Sequence, residues 1–166
     1  MALDTRIALS VQANLTNIID LATASVPLNL LADVVLANGT GSGQADKIWW
    51  DTRTVGASAT DSLDLAGSLT DPLGAAFTPA KLKAIVVKAY SANTNNVVVT
   101  RPAANGVPWA SAAGDAVPVG PGGVFDLAFP GAGITVTAGT GDLIDIVNSA
   151  GGTAVTYDIV LIGTSA

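Results

Sequence analysis

Between Arg6 and Thr16 the chain alternates. Ile7, Leu9, Val11, Ala13 and Leu15 are apolar, and Ser10, Gln12, Asn14 and Thr16 fall between them. A period of two is the signature of a strand with one apolar face. Ile7, Val11, Leu15 and Ile18 also satisfy a helical stripe, so the period alone does not decide. Asn14 and Asn17 are poor mid-helix residues, and the Val26-Pro27 step ends any helix before it. The reading is an extended N-terminal arm over residues 1–30. Such an arm has little core of its own to join, and packing against a neighbouring subunit is a use that suits it.

From Leu31 onward, short apolar runs are separated by turn chemistry. The predicted strands are 32–36, 47–54, 62–66, 82–90, 97–101, 124–129, 134–137, 142–148 and 154–162. The breaks are the Gly-rich Asn38–Gly43, the Asp71-Pro72 loop, Asn93–Asn96, and a long Pro-, Gly- and Ala-rich loop from Pro102 to Pro121. Asn148–Gly152 is expected to close a five-residue hairpin between the last two strands. Pro79–Ala84 is the one place where a single helical turn is conceivable. Eight or nine short strands with frequent breaks predict an all-β fold, a jelly-roll-like antiparallel β-sandwich over residues 31–166, with the arm preceding it.

Composition sharpens this. The 166 residues include no His, no Cys and no Glu, so all thirteen acids are Asp; apolar residues make up 49% and charged ones 12%. Without Cys there is no disulfide scaffold, thiolate nucleophile or zinc ribbon. Without His there is no Ser–His–Asp triad and no imidazole switch. A net charge of −6 opposes a nucleic-acid partner, which needs clustered cations; only Lys81, Lys83 and Lys88 lie close together. No run of about 18 uninterrupted apolar residues marks a membrane helix, and the N-terminal segment does not read as a secretory signal. Neither nucleic acid nor membrane is expected as a partner. The surplus of small apolar residues points to buried contacts between subunits.

Chemistry is left to Asp, Lys, Tyr and Ser. Asp61 with Asp64, and Asp142 with Asp145, are the paired carboxylates. Residues three apart on a strand face opposite sides, so neither pair aims into one cleft as a glycosidase would need. Calcium is a weaker reading of the same loops, since no D-x-D-x-D-G sequence occurs. The Gly-rich loop lacks the Lys-Ser/Thr that follows a phosphate cradle. No enzyme activity, cofactor or metal is therefore expected. Trp49 and Trp50, adjacent on a strand, must point to opposite faces, one into the core and one towards solvent or a partner. The candidate partner-contact residues are Ile7, Leu9, Val11, Leu15, Ile18, Trp49, Trp50 and Trp109.

Several segments carry a resemblance. They are Leu36-Ala-Asn-Gly-Thr-Gly-Ser-Gly-Gln-Ala-Asp-Lys-Ile48, Asp51-Thr-Arg-Thr54, Ser62-Leu-Asp-Leu-Ala-Gly67, Asn93-Thr-Asn-Asn-Val97, Pro121-Gly-Gly-Val-Phe125, Thr137-Ala-Gly-Thr-Gly-Asp-Leu143 and Val155-Thr-Tyr-Asp-Ile-Val-Leu-Ile-Gly163. Together they resemble small virion proteins of tailed bacteriophages, over most of the chain from about residue 7. The resemblance implies a capsid decoration, or cement, protein on the outer capsid surface of the virion. Its partners would be the major capsid protein and copies of itself, as a homotrimer. A head-fibre, tail or receptor-binding component with a carbohydrate-binding β-sandwich is the alternative.

Overall fold

The computed structural model describes residues 2–67 and 69–166, and no helix occurs among them. Strands β4 to β12 build two antiparallel sheets, one of five strands and one of four. The first runs β4 (Lys47–Val55), β12 (Val155–Thr164), β6 (Lys81–Ala89), with β9 (Val124–Ala128) and the short β10 (Ile134–Thr135) sharing the far edge of β6. The second runs β5 (Thr60–Asp64), β11 (Leu143–Asn148), β7 (Val97–Thr100), β8 (Ala116–Val119). Each early strand pairs with a late one in reverse order: β4 with β12, β5 with β11, β6 with β9 and β10, β7 with β8. This is one long double ribbon folded over on itself, the wiring of a jelly roll.

The core lies between the two sheets. From the first sheet come Trp49, Val55, Leu82, Ile85, Val87, Tyr157, Ile159 and Leu161; from the second come Leu63, Val97, Val99, Val119, Ile144 and Ile146. On β12, Val155, Tyr157, Ile159 and Leu161 face inward and Thr156, Asp158 and Val160 outward, as their alternation predicts. Trp109, on the 101–115 loop, packs edge-on against Phe125 with ring centroids 5.7 Å apart.

Three local expectations are corrected. Asn148–Gly152 does not close a hairpin, because β11 and β12 belong to different sheets. The buried Asn148 side chain instead carries the chain across the gap. Its Nδ2 donates to the carbonyls of Gly56 and Thr153 at 3.0 and 2.8 Å, and its Oδ1 accepts from Asn95 at 2.9 Å. Within the supposed long loop, Ala116–Val119 is a strand. It sits at the sheet edge, where Pro118 and its missing N–H are tolerated.

Pro79–Ala84 makes no helical turn either, for β6 begins at Lys81. A bulge follows: Ile162 pairs with Ala84 but Gly163 with Leu82, so Lys83 is an extra residue. The bulge switches sidedness. Leu82, Ile85 and Val87 can therefore all reach the central core, while Ala84 faces the outer surface of the sheet.

The first two strands stand apart. β1 (Thr5–Ile19) and β2 (Ala22–Asn38) form one antiparallel hairpin in unbroken register from Thr5↔Leu36 to Ile19↔Ala22. The boundary at residue 30 and the predicted strand 32–36 both fall inside β2. Only the base of the hairpin joins the body, where β2 pairs in parallel with the two-residue β3 (Gln44–Ala45).

Candidate functional site

Directly opposed residues in an antiparallel pair share a face, so the register sorts the hairpin into two surfaces. One carries Ile7·Val34, Leu9·Ala32, Val11·Leu30, Ala13·Leu28, Leu15·Val26, Asn17·Ala24 and Ile19·Ala22. It holds no ionisable group, and Asn17 is its one polar side chain above the base. The other carries Arg6·Val35, Ala8·Asp33, Ser10·Leu31, Gln12·Asn29, Asn14·Pro27, Thr16·Ser25 and Ile18·Thr23. That face is tied by polar contacts. The Arg6 guanidinium grips Asp33 through two nitrogens at 2.9 and 2.7 Å, and Ser25 donates to Asn14 at 2.8 Å. The Arg6 hydrogen bonds hold the Asp33 carboxyl below its usual range.

The apolar face continues into the body at the base. Leu3, Ile7, Val34 and Leu36 pack on the outer surface of the first sheet, against Ile48, Ala84, Ala128, Val160 and Ile162. Beyond that seat the support ends. Every residue from Ala8 to Asp33 is exposed, including Leu15 at 75%, Val26 at 65% and Leu28 at 54%. A two-stranded hairpin in water is marginal on its own, and an apolar patch this continuous is rare on a protein with no partner.

Of the predicted contact residues, Ile7, Leu9, Val11 and Leu15 lie together on the apolar face. Ile18 lies on the opposite one. Trp49 and Trp109 are core residues, at 4% and 8% exposure, and take no part in any outer surface. Trp50 is half exposed on the outer face of β4. It stands opposite Val160, at the edge of the hairpin seat.

A second cluster sits where the edge strands β4 and β5 meet. Arg53 Nε and Nη2 donate to the two Asp61 oxygens at 2.5 and 2.9 Å, and the buried Tyr157 hydroxyl donates to Asp61 Oδ2 at 2.7 Å. Burial pushes the Asp61 carboxyl up, but the hydrogen bonds from Arg53 and Tyr157 and the Arg53 charge outweigh it, leaving the carboxyl below its ordinary value. Burial, and then the bond to Asp61, raises the Tyr157 phenol. A groove of about 370 Å³ opens beside the cluster, lined by residues 51–56 and 59–61. Its charges are already mutually paired, which makes it a clamp between the sheets. No residue spacing signals this trio, since Tyr157 enters from the opposite end of the chain.

The paired carboxylates stay apart. Asp61 faces Tyr157, while Asp64 accepts the Ala66 N–H. Asp142 accepts the Gly139 N–H, and Asp145 accepts the Ser62 hydroxyl. Among the described residues no group of three or more acids, His or Cys is placed to hold a metal, and no helix is long and apolar enough to cross a membrane. Lys83 turns its buried amine into the carbonyls of Gly131 and Gly41. Burial, and then the Lys81 charge, lowers its pKa. The Gly-rich loop is thus fastened to the body from within.

The candidate site is thus a jelly-roll body from which a ribbon with one exposed, uncharged and largely apolar face projects. No family model matches the chain, and no curated protein matches it.

Proposed function

We propose that the chain is a structural component of a tailed-bacteriophage virion, a decoration protein that binds the outer head surface and bridges neighbouring capsid subunits. One observation carries the reading: a run of exposed residues, Ala8–Asp33, whose one face is apolar but for Asn17. Apolar surface held outside a folded body gains free energy only when something covers it. That cover can come from a shell or from further copies of the chain, and on a shell of identical subunits many small clamps then add through effective concentration. The acidic chain, of net charge −6, suits the outside of a shell better than a lumen lined with packed nucleic acid. Jelly rolls serve shells and sugar-binding proteins alike, so the fold by itself does not choose.

The test mixes purified protein with emptied phage heads. Full-length chain is expected to bind and to raise the temperature at which heads rupture. A variant in which residues 10–31 are replaced by Asn-Gly, closing the hairpin just past the Leu9↔Ala32 pair, is expected to bind at least about tenfold more weakly. Equal binding by the two forms overturns the role of the hairpin. No binding by either overturns the decoration reading.

The half-exposed Trp50, with Thr52, Tyr90 and Asp158 hydrogen-bonded on the next row, favours a second reading, a sugar-binding virion component. A glycan array answered by the wild type and lost in Trp50→Ala would support it.

A further inference from the structure

We infer that the apolar face of the hairpin is a self-association surface, and that what covers it is the same face of other copies of this chain. The inference deepens the adhesive reading by naming the occupant, and it holds for the chain whether or not it binds a phage head.

The area is sufficient. Leu9, Val11, Leu15, Ile19, Val26, Leu28 and Leu30 lie on this face at 40% to 75% exposure. Side chains of this size carry on the order of 100 Å² of apolar surface each when fully exposed, so the seven together offer several hundred Å² at these exposures. The alanines between them bring the face close to the about 800 Å² per partner of a stable interface.

The shape is self-complementary. Leu9 faces Ala32, and Leu28 faces Ala13, so large side chains stand beside hollows left by small ones along both strands. Two identical pleated faces can interdigitate at such positions, about 10 Å apart, as sandwich sheets do. The chain already shows that this face seats on an apolar β-surface of its own making. Its base, Ile7, Val34 and Leu36, is packed on Ile48, Ala84 and Ile162.

Charge points the same way. Each body contributes to a net −6, which opposes contact between bodies. Asp20, in the hairpin turn, is the one ionisable residue between Ile7 and Ala32. The uncharged stretch from Leu9 to Ile19 spans roughly 35 Å at the strand rise, several Debye lengths at physiological salt. Copies joined through their hairpins therefore meet where repulsion is least.

Sedimentation of the full-length chain at about 100 µM, well above a micromolar dissociation constant, tests this. The wild type is expected at two or three times its 16.4 kDa. The double variant Leu15→Asp, Leu28→Asp is expected to run as a single copy, its association weakened at least about 100-fold. Its body should melt as the wild type does, because neither residue touches the sandwich. The matched variant Gln12→Asp, Thr23→Asp adds the same charge to the opposite face and is expected to keep the wild-type mass. A single-copy wild type overturns the inference, as does a Leu15→Asp, Leu28→Asp protein of unchanged mass, or equal dissociation by both variants. Self-association without head binding would sink the virion role and leave this interface standing.

Discussion

At the scale of single residues, the molecule depends on a few polar groups that its apolar composition cannot replace. Asp61 is the clearest, because it satisfies Arg53 and the buried Tyr157 hydroxyl together. Asp61→Ala leaves the Tyr157 hydroxyl unpaired and Arg53 with only its contact to Asp51, and is expected to cost about 2 kcal/mol in urea unfolding at pH 7. The pH dependence follows from the sign of the shift. The folded carboxyl lies below its unfolded value, so the stability it supplies is complete above the unfolded pKa near 4 and is lost as pH falls through the folded one. Asp61→Asn should therefore narrow its gap from the wild type as unfolding is followed from pH 6 down to about pH 2. Asp126 behaves oppositely. Burial raises its carboxyl, so its charged form is disfavoured in the fold. Asp126→Asn is expected to raise stability by a few tenths of a kcal/mol at pH 7, where the carboxyl is ionised, and to change it little at pH 3. Nothing in the spacing of Asp61, Arg53 and Tyr157 made the cluster readable, since it forms only once β4, β5 and β12 are in place.

At the scale of elements, strand alternation was the readable part. β12 and β4 lie within two residues of their predicted bounds, and Trp49 and Trp50 divide between inside and outside as adjacent strand residues must. What escaped the pattern is partner choice. The Asn148–Gly152 turn has the chemistry of a hairpin, yet the strands it joins lie in opposite sheets, because their inward faces must meet across one core. The bulge at Lys83 escaped too, since a one-residue slip leaves no mark in an apolar run. Gly163 stands opposite that bulge. A Cβ there would come within 2.6 Å of the Lys81 carbonyl and 2.7 Å of Pro79. Gly163→Ala is expected to lower stability by about 2–3 kcal/mol, visible as a fall of several degrees in the melting temperature.

At the scale of the whole molecule, body and hairpin are separable. The sandwich core takes no residue from Ala8–Asp33, so shortening the hairpin to its Leu9↔Ala32 pair should leave the body's melting temperature within about 3 °C of wild type when both are single copies. The jelly-roll class was legible from strand number and break spacing. The hairpin was legible only as an extended apolar segment, because its partner strand reads equally well as the first strand of the body.

The reversed pairing of early with late strands has a consequence in time. β4 waits for β12, more than a hundred residues further along, and contacts that distant make for folding in milliseconds to seconds. The ribbon closes through neighbours in sequence, on the scale of about 1–10 µs. During synthesis its apolar side is complete while most of the body is still untranslated. Nascent chains on one messenger thus expose a complete apolar face before they carry a finished fold, and aggregation competes with folding from that moment.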